Sequence, residues 1–310
     1  MDNNPLVSIV INYWESIDYL DECIKSVQNQ SYKNWEIIFI DNNSKKSPKI
    51  ILSKIQKDKL NYFKLKNYKP LGQARNIAIE KSSGELIAFI DTDDLWHENK
   101  LYIQVNQFLK DKNLGLVICD SNIIINNKII SRKNILLDEK KSPLENLVHN
   151  NFIVMSSAMV KKEVIEKNQI SFQNDFEVLE DTLFFFKIIS KSKLYYIKNF
   201  LCSWRYRKNS HTFKNTEKLY KEKIFFKENY LLNQEYANVI SKNAILNYDI
   251  NLKILEATTF IYKNNLKNCR NILKPYIRKS LKLISIYLMT FIPKKILFFL
   301  FKNIFKRPLL

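Results

Sequence analysis

Along the first ninety positions, apolar residues fall into short blocks separated by stretches of longer period. Leu6–Ile11, Trp35–Ile40, Leu60–Leu65 and Leu86–Ile90 are continuous or alternating runs of strand length. Between them Asp18–Asn29, Ser47–Lys57 and Gly72–Lys81 carry apolar residues at helical spacing. Strands alternating with helices imply a parallel sheet with right-handed crossovers. A helix over Glu98–Lys110 and a strand over Leu114–Cys119 continue the pattern. Asn126-Asn127, between Ile123–Ile125 and Lys128–Ile130, reads as a two-residue hairpin turn, because Asn tolerates positive φ. Ile153–Val160 reads as a further strand. Glu180–Ser190 reads as a helix with Leu183, Phe184, Phe186, Ile188 and Ile189 mostly inward, and Leu194–Ile197 and Leu201–Tyr206 as two closing strands. Beyond about Phe213 the pattern is helical to the end. The expected organisation is an α/β domain over 1–213, divided near residue 96, followed by a helical region over 214–310.

A chain of 310 residues with 46% hydrophobic content can bury a large core. Its only glycines are Gly72, Gly84 and Gly115, and neither G-x-G-x-x-G nor G-x-x-x-x-G-K-[ST] can be written with them. Any phosphate must therefore be met by side chains or metal rather than by a glycine-rich cradle. Cys23, Cys119, Cys202 and Cys269 include no C-x-x-C pair, so buried free thiols in a reducing compartment are expected. Met-Asp-Asn-Asn-Pro offers no basic n-region, and no cleaved export signal is expected.

The candidate chemistry sits where the strand blocks end. Asp91, Asp93 and Asp94 follow the run Leu86–Ile90, and in an open α/β sheet ligands bind just outside the carboxyl ends of the strands. Carboxylates placed there need a positive partner, and a divalent cation carrying a diphosphate is the usual one. A D-x-D triplet alone is weak: with 14 Asp in the chain, about one arises by chance. Its place at the end of the fourth strand is what singles it out. Asp41 ends the second strand, where a carboxylate can accept from a nucleobase or ribose, or cap the turn made by Asn42, Asn43 and Ser44. Arg75, near the start of a helix opened by Gly72, offers an always-charged fork to a pyrophosphate or base carbonyl; the alternative is a surface or Glu80-paired arginine. Asn12 places a small polar group at the end of the first strand. Glu180 and Asp181 open a helix, where acids also favour the positive N-terminus.

Val7-Ser-Ile-Val-Ile-Asn12-Tyr-Trp-Glu and Trp35-Glu-Ile-Ile-Phe-Ile-Asp41-Asn-Asn-Ser44 resemble a family 2 glycosyltransferase. Gly72-Gln-Ala-Arg75-Asn76, Ala88-Phe-Ile-Asp91-Thr-Asp93-Asp94-Leu-Trp96 and Glu180-Asp181-Thr-Leu-Phe continue the pattern in the family's order. The resemblance spans roughly Pro5 to Thr212, about two-thirds of the chain. It implies a GT-A fold (Rossmann-like, mostly parallel sheet flanked by helices), a nucleotide-diphosphate-sugar donor with a UDP-sugar favoured, and inversion at the anomeric carbon. Carried over position by position, it gives Asp41 to the nucleotide base and Asp91 to ribose or metal-bound water. Asp93 falls on the ligand to Mg or Mn, and Asp181 on the general base. Trp204-Arg205-Tyr206-Arg207 resembles the family's segment that closes over the diphosphate, but Arg207 stands at the histidine position. An arginine cannot ligate a cation, though Arg205 and Arg207 can both pair a diphosphate. Asn12 departs from the family's usual Pro or Thr, and His211 falls four residues late and reads as a surface histidine.

Charge adds one feature. Of 50 Lys and Arg, twelve lie between Ala257 and Leu310, where there is no Asp or Glu; the other 38 face all 31 acids. The apolar runs of this tail, Leu281–Ile292 and Ile296–Phe301, are shorter than the ~18–20 residues that span a bilayer. Joined, they bury Lys294 and Lys295 at roughly 2.5–3.5 kcal/mol each. An in-plane interfacial anchor on anionic headgroups fits better, with packing on the catalytic domain as the alternative and nucleic acid excluded. The expectation is an inverting, metal-dependent transferase, peripheral on the cytoplasmic face of the membrane. It adds a sugar to a surface glycan acceptor, for which a polyprenyl-diphosphate carrier is the family habit. The rival readings are a sugar-nucleotide pyrophosphorylase, which lacks its glycine-rich loop here, and a non-catalytic, membrane-tethered glycan-binding or assembly subunit.

Overall fold

The computed structural model describes residues 4–131, 137, 138, 140–207, 216–236, 239–263 and 265–292. Residues 208–212 and 293–310, which bear on the closing segment and the end of the basic tail, lie outside these. In chain order the elements are β1 (Val7–Tyr13), α1 (Ile17–Gln28), β2 (Trp35–Asp41), α2 (Lys49–Leu52), β3 (Leu60–Lys64), α3 (Leu71–Lys81), β4 (Leu86–Phe89) and β5 (Leu95–Trp96). They continue with α4 (Lys100–Lys110), β6 (Leu114–Ile125), β7 (Lys128–Ile130), α5 (Pro143–His149), β8 (Met159–Lys161), α6 (Lys162–Lys167), α7 (Glu180–Lys191) and β9 (Lys193–Arg205). The remaining helices are α8 (Thr216–Phe226), α9 (Lys242–Tyr262), α10 (Leu266–Leu273) and α11 (Leu281–Met289). The chain divides into two compact units, Met1–Asp138 with Phe152–Arg207, and Glu139–Asn151 with Lys208–Leu310.

The first unit is a GT-A-like α/β layer structure. Its sheet runs β3-β2-β1-β4-β8-β6-β9-β5, with β7 hairpinned onto β6. The first four strands in that order are parallel, β8 is antiparallel to both its neighbours, and β6 and β9 are again parallel. β1 and β2 are covered on both faces, which is why they read as continuous apolar runs. On one face Ile9, Ile11 and Phe39 pack with Leu20, Cys23 and Val27 of α1 and Leu101, Val105 and Phe108 of α4. Each such side chain contributes roughly 1.5–3 kcal/mol on full burial. Phe172 stacks on Phe184 at 4.0 Å, with Phe89 of β4 edge-on to both.

Several elements differ from the sequence reading. Ile153–Val160 is not a strand: Met155–Ser157 form a 3-10 turn and only Met159–Lys161 pair. Ser157 Oγ donates to the Val154 carbonyl, a local bond that competes with a ladder. Leu194–Ile197 and Leu201–Tyr206 belong to one strand; the register jumps from Cys119↔Ile197 to Asp120↔Phe200, so Lys198 and Asn199 are absorbed as a bulge. β6 likewise runs unbroken through the polar triplet Asp120-Ser121-Asn122. The helix expected over Ser47–Lys57 is the single turn α2, behind Pro48. Asn126 and Asn127 do form the tight hairpin, at φ 50° and 59°. All four cysteines are buried and unbridged.

In the second unit, Ser142 and Glu145 close a capping box on α5, with Pro143 in the first turn. Glu145 also accepts from the backbone N–H of Ser241, the N-cap of α9. Ile250, Ile254, Ala257 and Ile261 of α9 pack with Cys269 and Leu273 of α10 and Leu283 and Ile286 of α11. Leu281, Leu288 and Phe291 stay on the outside, 83%, 59% and 61% exposed. Among the described residues no helix is long and apolar enough to cross a membrane.

Candidate active site

The carboxyl ends of β1, β2 and β4 form one rim. Tyr13 pairs in register with Asp41, and both end their strands. Asp41 is buried; its Oδ1 accepts from the Ser44 N–H at 2.8 Å and its Oδ2 from the Tyr62 hydroxyl at 2.7 Å. Burial, and then this bond to Asp41, push the Tyr62 hydroxyl well above the usual tyrosine range. The turn-capping arrangement is thus present, with Asn43 at φ 57°. Asn42 ties down the following loop: its amide donates to the Lys69 carbonyl and its carbonyl accepts from the Lys69 N–H. That docking sets Tyr68 beside Trp14, ring centroids 5.2 Å apart, with each residue more than half exposed. Near the end of β1, the buried Oδ1 of Asn12 has no hydrogen-bond partner.

The acidic turn after β4 splits its three carboxylates between two roles. Asp94 points inward, accepting from Ser156 Oγ at 2.5 Å and from the Arg205 N–H at 3.0 Å. Ser156 Oγ also accepts from the Asp91 N–H, and its carbonyl accepts from Trp96 Nε1. The turn is therefore held in place, leaving Asp91 and Asp93 facing outward with side chains 45% and 20% exposed. Burial, followed by the charges of Asp91 and Asp93, raises the Asp94 carboxyl well above the ordinary range. Asp93 is raised too, by burial and by Asp91, against the pull of Arg207.

Arg75 joins this turn to the start of α7. It is 4% exposed, with Nη2 3.3 Å from Asp91 Oδ1 and Nη1 3.2 Å from Glu180 Oε1, and it lies over the Phe172 ring. Gly72 makes this approach possible: a Cβ there would sit 3.0 Å from Phe172 Cβ. Asn76 pins the same segment through two bonds to the Phe172 backbone. Asp181 is half-buried at the head of α7, accepting from the Thr182 N–H at 2.6 Å. Burial raises its proton affinity, Arg75 lowers it, and Asp91 adds to the rise.

Arg205 is fixed on every side. Its Nε donates to the Asp93 carbonyl, Nη1 to Asn127 Oδ1 and Nη2 to Glu22 Oε2, and its guanidinium lies 3.9 Å over the Tyr19 ring. Arg207 pairs with Asp93 and lies at 5.2 Å over the same ring. Sequence reasoning missed Tyr19 and Glu22, one turn apart on α1, as well as Trp14, Tyr68, Tyr62 and Ser156. Trp14, just past the end of β1, could have been marked by its nearness to Asn12; nothing local marks the others, because each meets the site through a separate element.

Asp91 and Asp93 suit a hard cation. They are oxygen donors, and burial and then the charge of Asp91 raise the proton affinity of Asp93, which a nearby positive charge relieves. Among the described residues no three His, Cys, Asp or Glu are grouped to hold an ion by themselves. An ion there would complete its shell from a diphosphate and water, the usual arrangement for Mg²⁺.

The family model described as Glycosyl transferase family 2 matches residues 8–168, just over half the chain. The match ends short of Asp181, Arg205 and Arg207. An uncharacterized glycosyltransferase of Rickettsia bellii is 30% identical over 268 residues, covering 81% of this chain and 36% of that protein. WfgD of Escherichia coli, a UDP-Glc:alpha-D-GlcNAc-diphosphoundecaprenol beta-1,3-glucosyltransferase, is 32% identical over 127 residues, covering 41% of this chain and 50% of that protein. The chain therefore spans half or less of the length of these two relatives. A crystal structure of S. aureus TarS residues 1–349 with UDP-GlcNAc superposes with a TM-score of 0.67 at 17% identity, covering 92% of this chain and 90% of that one.

Proposed function

The chain belongs to glycosyltransferase family 2, and we propose that it moves a sugar, with inversion, from a UDP-sugar to a hydroxyl of a glycan acceptor. The observation that carries this reading is Arg75, which ties the acidic turn at the end of β4 to the head of α7 that bears Asp181. Trp14 and Tyr68 flank the nucleobase as an exposed aromatic pair, with Asp41 and Asn12 supplying polar contacts at the ends of β2 and β1. Arg205 and Arg207 face the diphosphate. Asp93, with Asp91, would hold Mg or Mn, which when bound offsets the charge of the leaving diphosphate.

Asp181 is the general base. Its carboxylate takes the proton from the acceptor hydroxyl as that oxygen attacks the anomeric carbon, opposite the bond to the diphosphate. The sugar passes through an oxocarbenium-like transition state as that bond breaks. Two sources support the donor and acceptor classes: TarS was crystallised with UDP-GlcNAc, and WfgD acts on a diphosphoundecaprenol acceptor. A lipid-linked acceptor, and the outward apolar residues of α11 within a basic stretch, support the reading that this chain works at the cytoplasmic face of a membrane.

The test is Asp181→Asn. Release of UDP from UDP-sugars should fall about 10²–10⁴-fold, while donor affinity by calorimetry stays within a few-fold. Turnover that survives the change removes Asp181 from the chemistry. Donor that never binds, to wild type or variant, leaves the non-catalytic subunit as the better reading.

A further inference from the structure

Two arginines reach the acidic turn from the end of β9, and they are held very differently. Arg205 is 6% exposed and anchored by Asp93 O, Asn127, Glu22 and the Tyr19 ring. Arg207 is 39% exposed; its contacts at the site are one ion pair, to Asp93 Oδ2, and the face of Tyr19. Its Nε is buried without a hydrogen bond. Arg205 is thus a fixed post, and Arg207 a side chain with one strong partner and unused donor capacity. That partner is the carboxylate assigned above to the cation. A guanidinium and a divalent ion drawn to the same Oδ2 repel each other, so the two compete for it.

We propose that Arg207 is an exchange gate on the donor site: without donor it occupies Asp93, and when the cation and nucleotide diphosphate enter together it leaves Asp93 for the diphosphate. The inference rests on the assignment of Asp93 to the cation. The gate makes ion and donor binding mutually dependent. The ion alone must displace Arg207 and leave it unpaired, whereas the ion with a diphosphate gives Arg207 a new anionic partner at once. Tyr19 is the pivot, since a ring face holds a guanidinium across a range of directions without fixing its hydrogen bonds. A short swing about this ring turns the fork from Asp93 to the space above the turn.

The experiment is Mn²⁺ titration followed by electron paramagnetic resonance, with and without UDP, on wild type, Arg207→Ala, Arg207→Lys and Asp93→Asn. Wild type should bind Mn²⁺ weakly alone and more tightly with UDP. Arg207→Ala should bind Mn²⁺ alone about fivefold or more tightly, yet bind UDP in the presence of Mn²⁺ more weakly by a similar factor. Arg207→Lys should retain part of both effects. If Arg207→Ala leaves Mn²⁺ affinity unchanged while Asp93→Asn abolishes it, the gate is wrong and the cation site stands. If Asp93→Asn changes nothing, the cation assignment itself fails.

Discussion

A single guanidinium, Arg75, touches both Asp91 of the acidic turn and Glu180, the acid next to the proposed base. It also fixes the working range of Asp181. Burial raises that carboxyl and Arg75 draws it down. A base acts only when deprotonated, so a raised pKa keeps it protonated, and idle, up to a higher pH. Activity should therefore fall as pH drops through a value above the ordinary carboxylate range. Removing the opposing charge with Arg75→Met should move that limb higher still. A kcat–pH profile of the donor-saturated enzyme checks both, and a limb within the ordinary range would take the role of base away from Asp181. Residues of this kind were legible one by one in the sequence, but their commitments were not. Asp41 read as a nucleotide contact, with a turn cap as the alternative. The Ser44 N–H makes the cap, and the Tyr62 hydroxyl from the neighbouring strand takes the second oxygen, a contact that no local pattern contains. The fork of Arg75 could be read from its residue type; that Asp91 and Glu180 fill it, rather than Glu80, depends on how α3 approaches α7.

Among the elements, those whose neighbours follow in sequence were the readable ones. β1, β2, β3 and β4, with α1 and α3 between them, obey the alternation of a parallel sheet, and the Asn126-Asn127 hairpin is a purely local event. β5 has two residues, β8 has three, and β9 has a bulge at Lys198-Asn199; a window-based period cannot resolve any of these. The start of β6 gives the sharpest packing test. A Cβ on Gly115 would lie 2.0 Å from Ser192 Oγ and 2.3 Å from Ser192 Cβ, at the junction of α7 and β9. Gly115→Ala should cost about 1–3 kcal/mol by overpacking. That corresponds to a drop of at least about 2–4 °C in thermal melting for a unit of this size. Gly115→Ala with Ser192→Gly should recover most of it; a single variant that melts with the wild type would mean Ser192 yields freely.

For the whole chain, charge and topology set the terms. Between residues 257 and 292 there are seven Lys or Arg and no acid, beside the outward Leu281, Leu288 and Phe291. The protein should sediment with vesicles containing phosphatidylglycerol, not with phosphatidylcholine alone, and release as salt shortens the screening length. Leu288→Asp combined with Phe291→Asp should weaken this binding without altering UDP affinity; unchanged sedimentation would rule out α11 as the anchor. The net charge of this stretch was plain in the sequence. Which apolar residues α11 leaves outward was not, because that depends on Cys269 and Leu273 of α10 packing beneath it. In the first unit, β9 lies between β6 and β5 and supplies the backbone N–H that holds Asp94. Its partners come from far earlier in the chain, so bringing them together means closing long loops, the slow part of folding a sheet. A chain emerging from the ribosome can set β1 to β4 in order, yet the acidic turn gains its clasp only when β9 arrives. The proposed donor site is thus among the last features to form, and a partly made chain exposes the scaffold before the acidic turn is set.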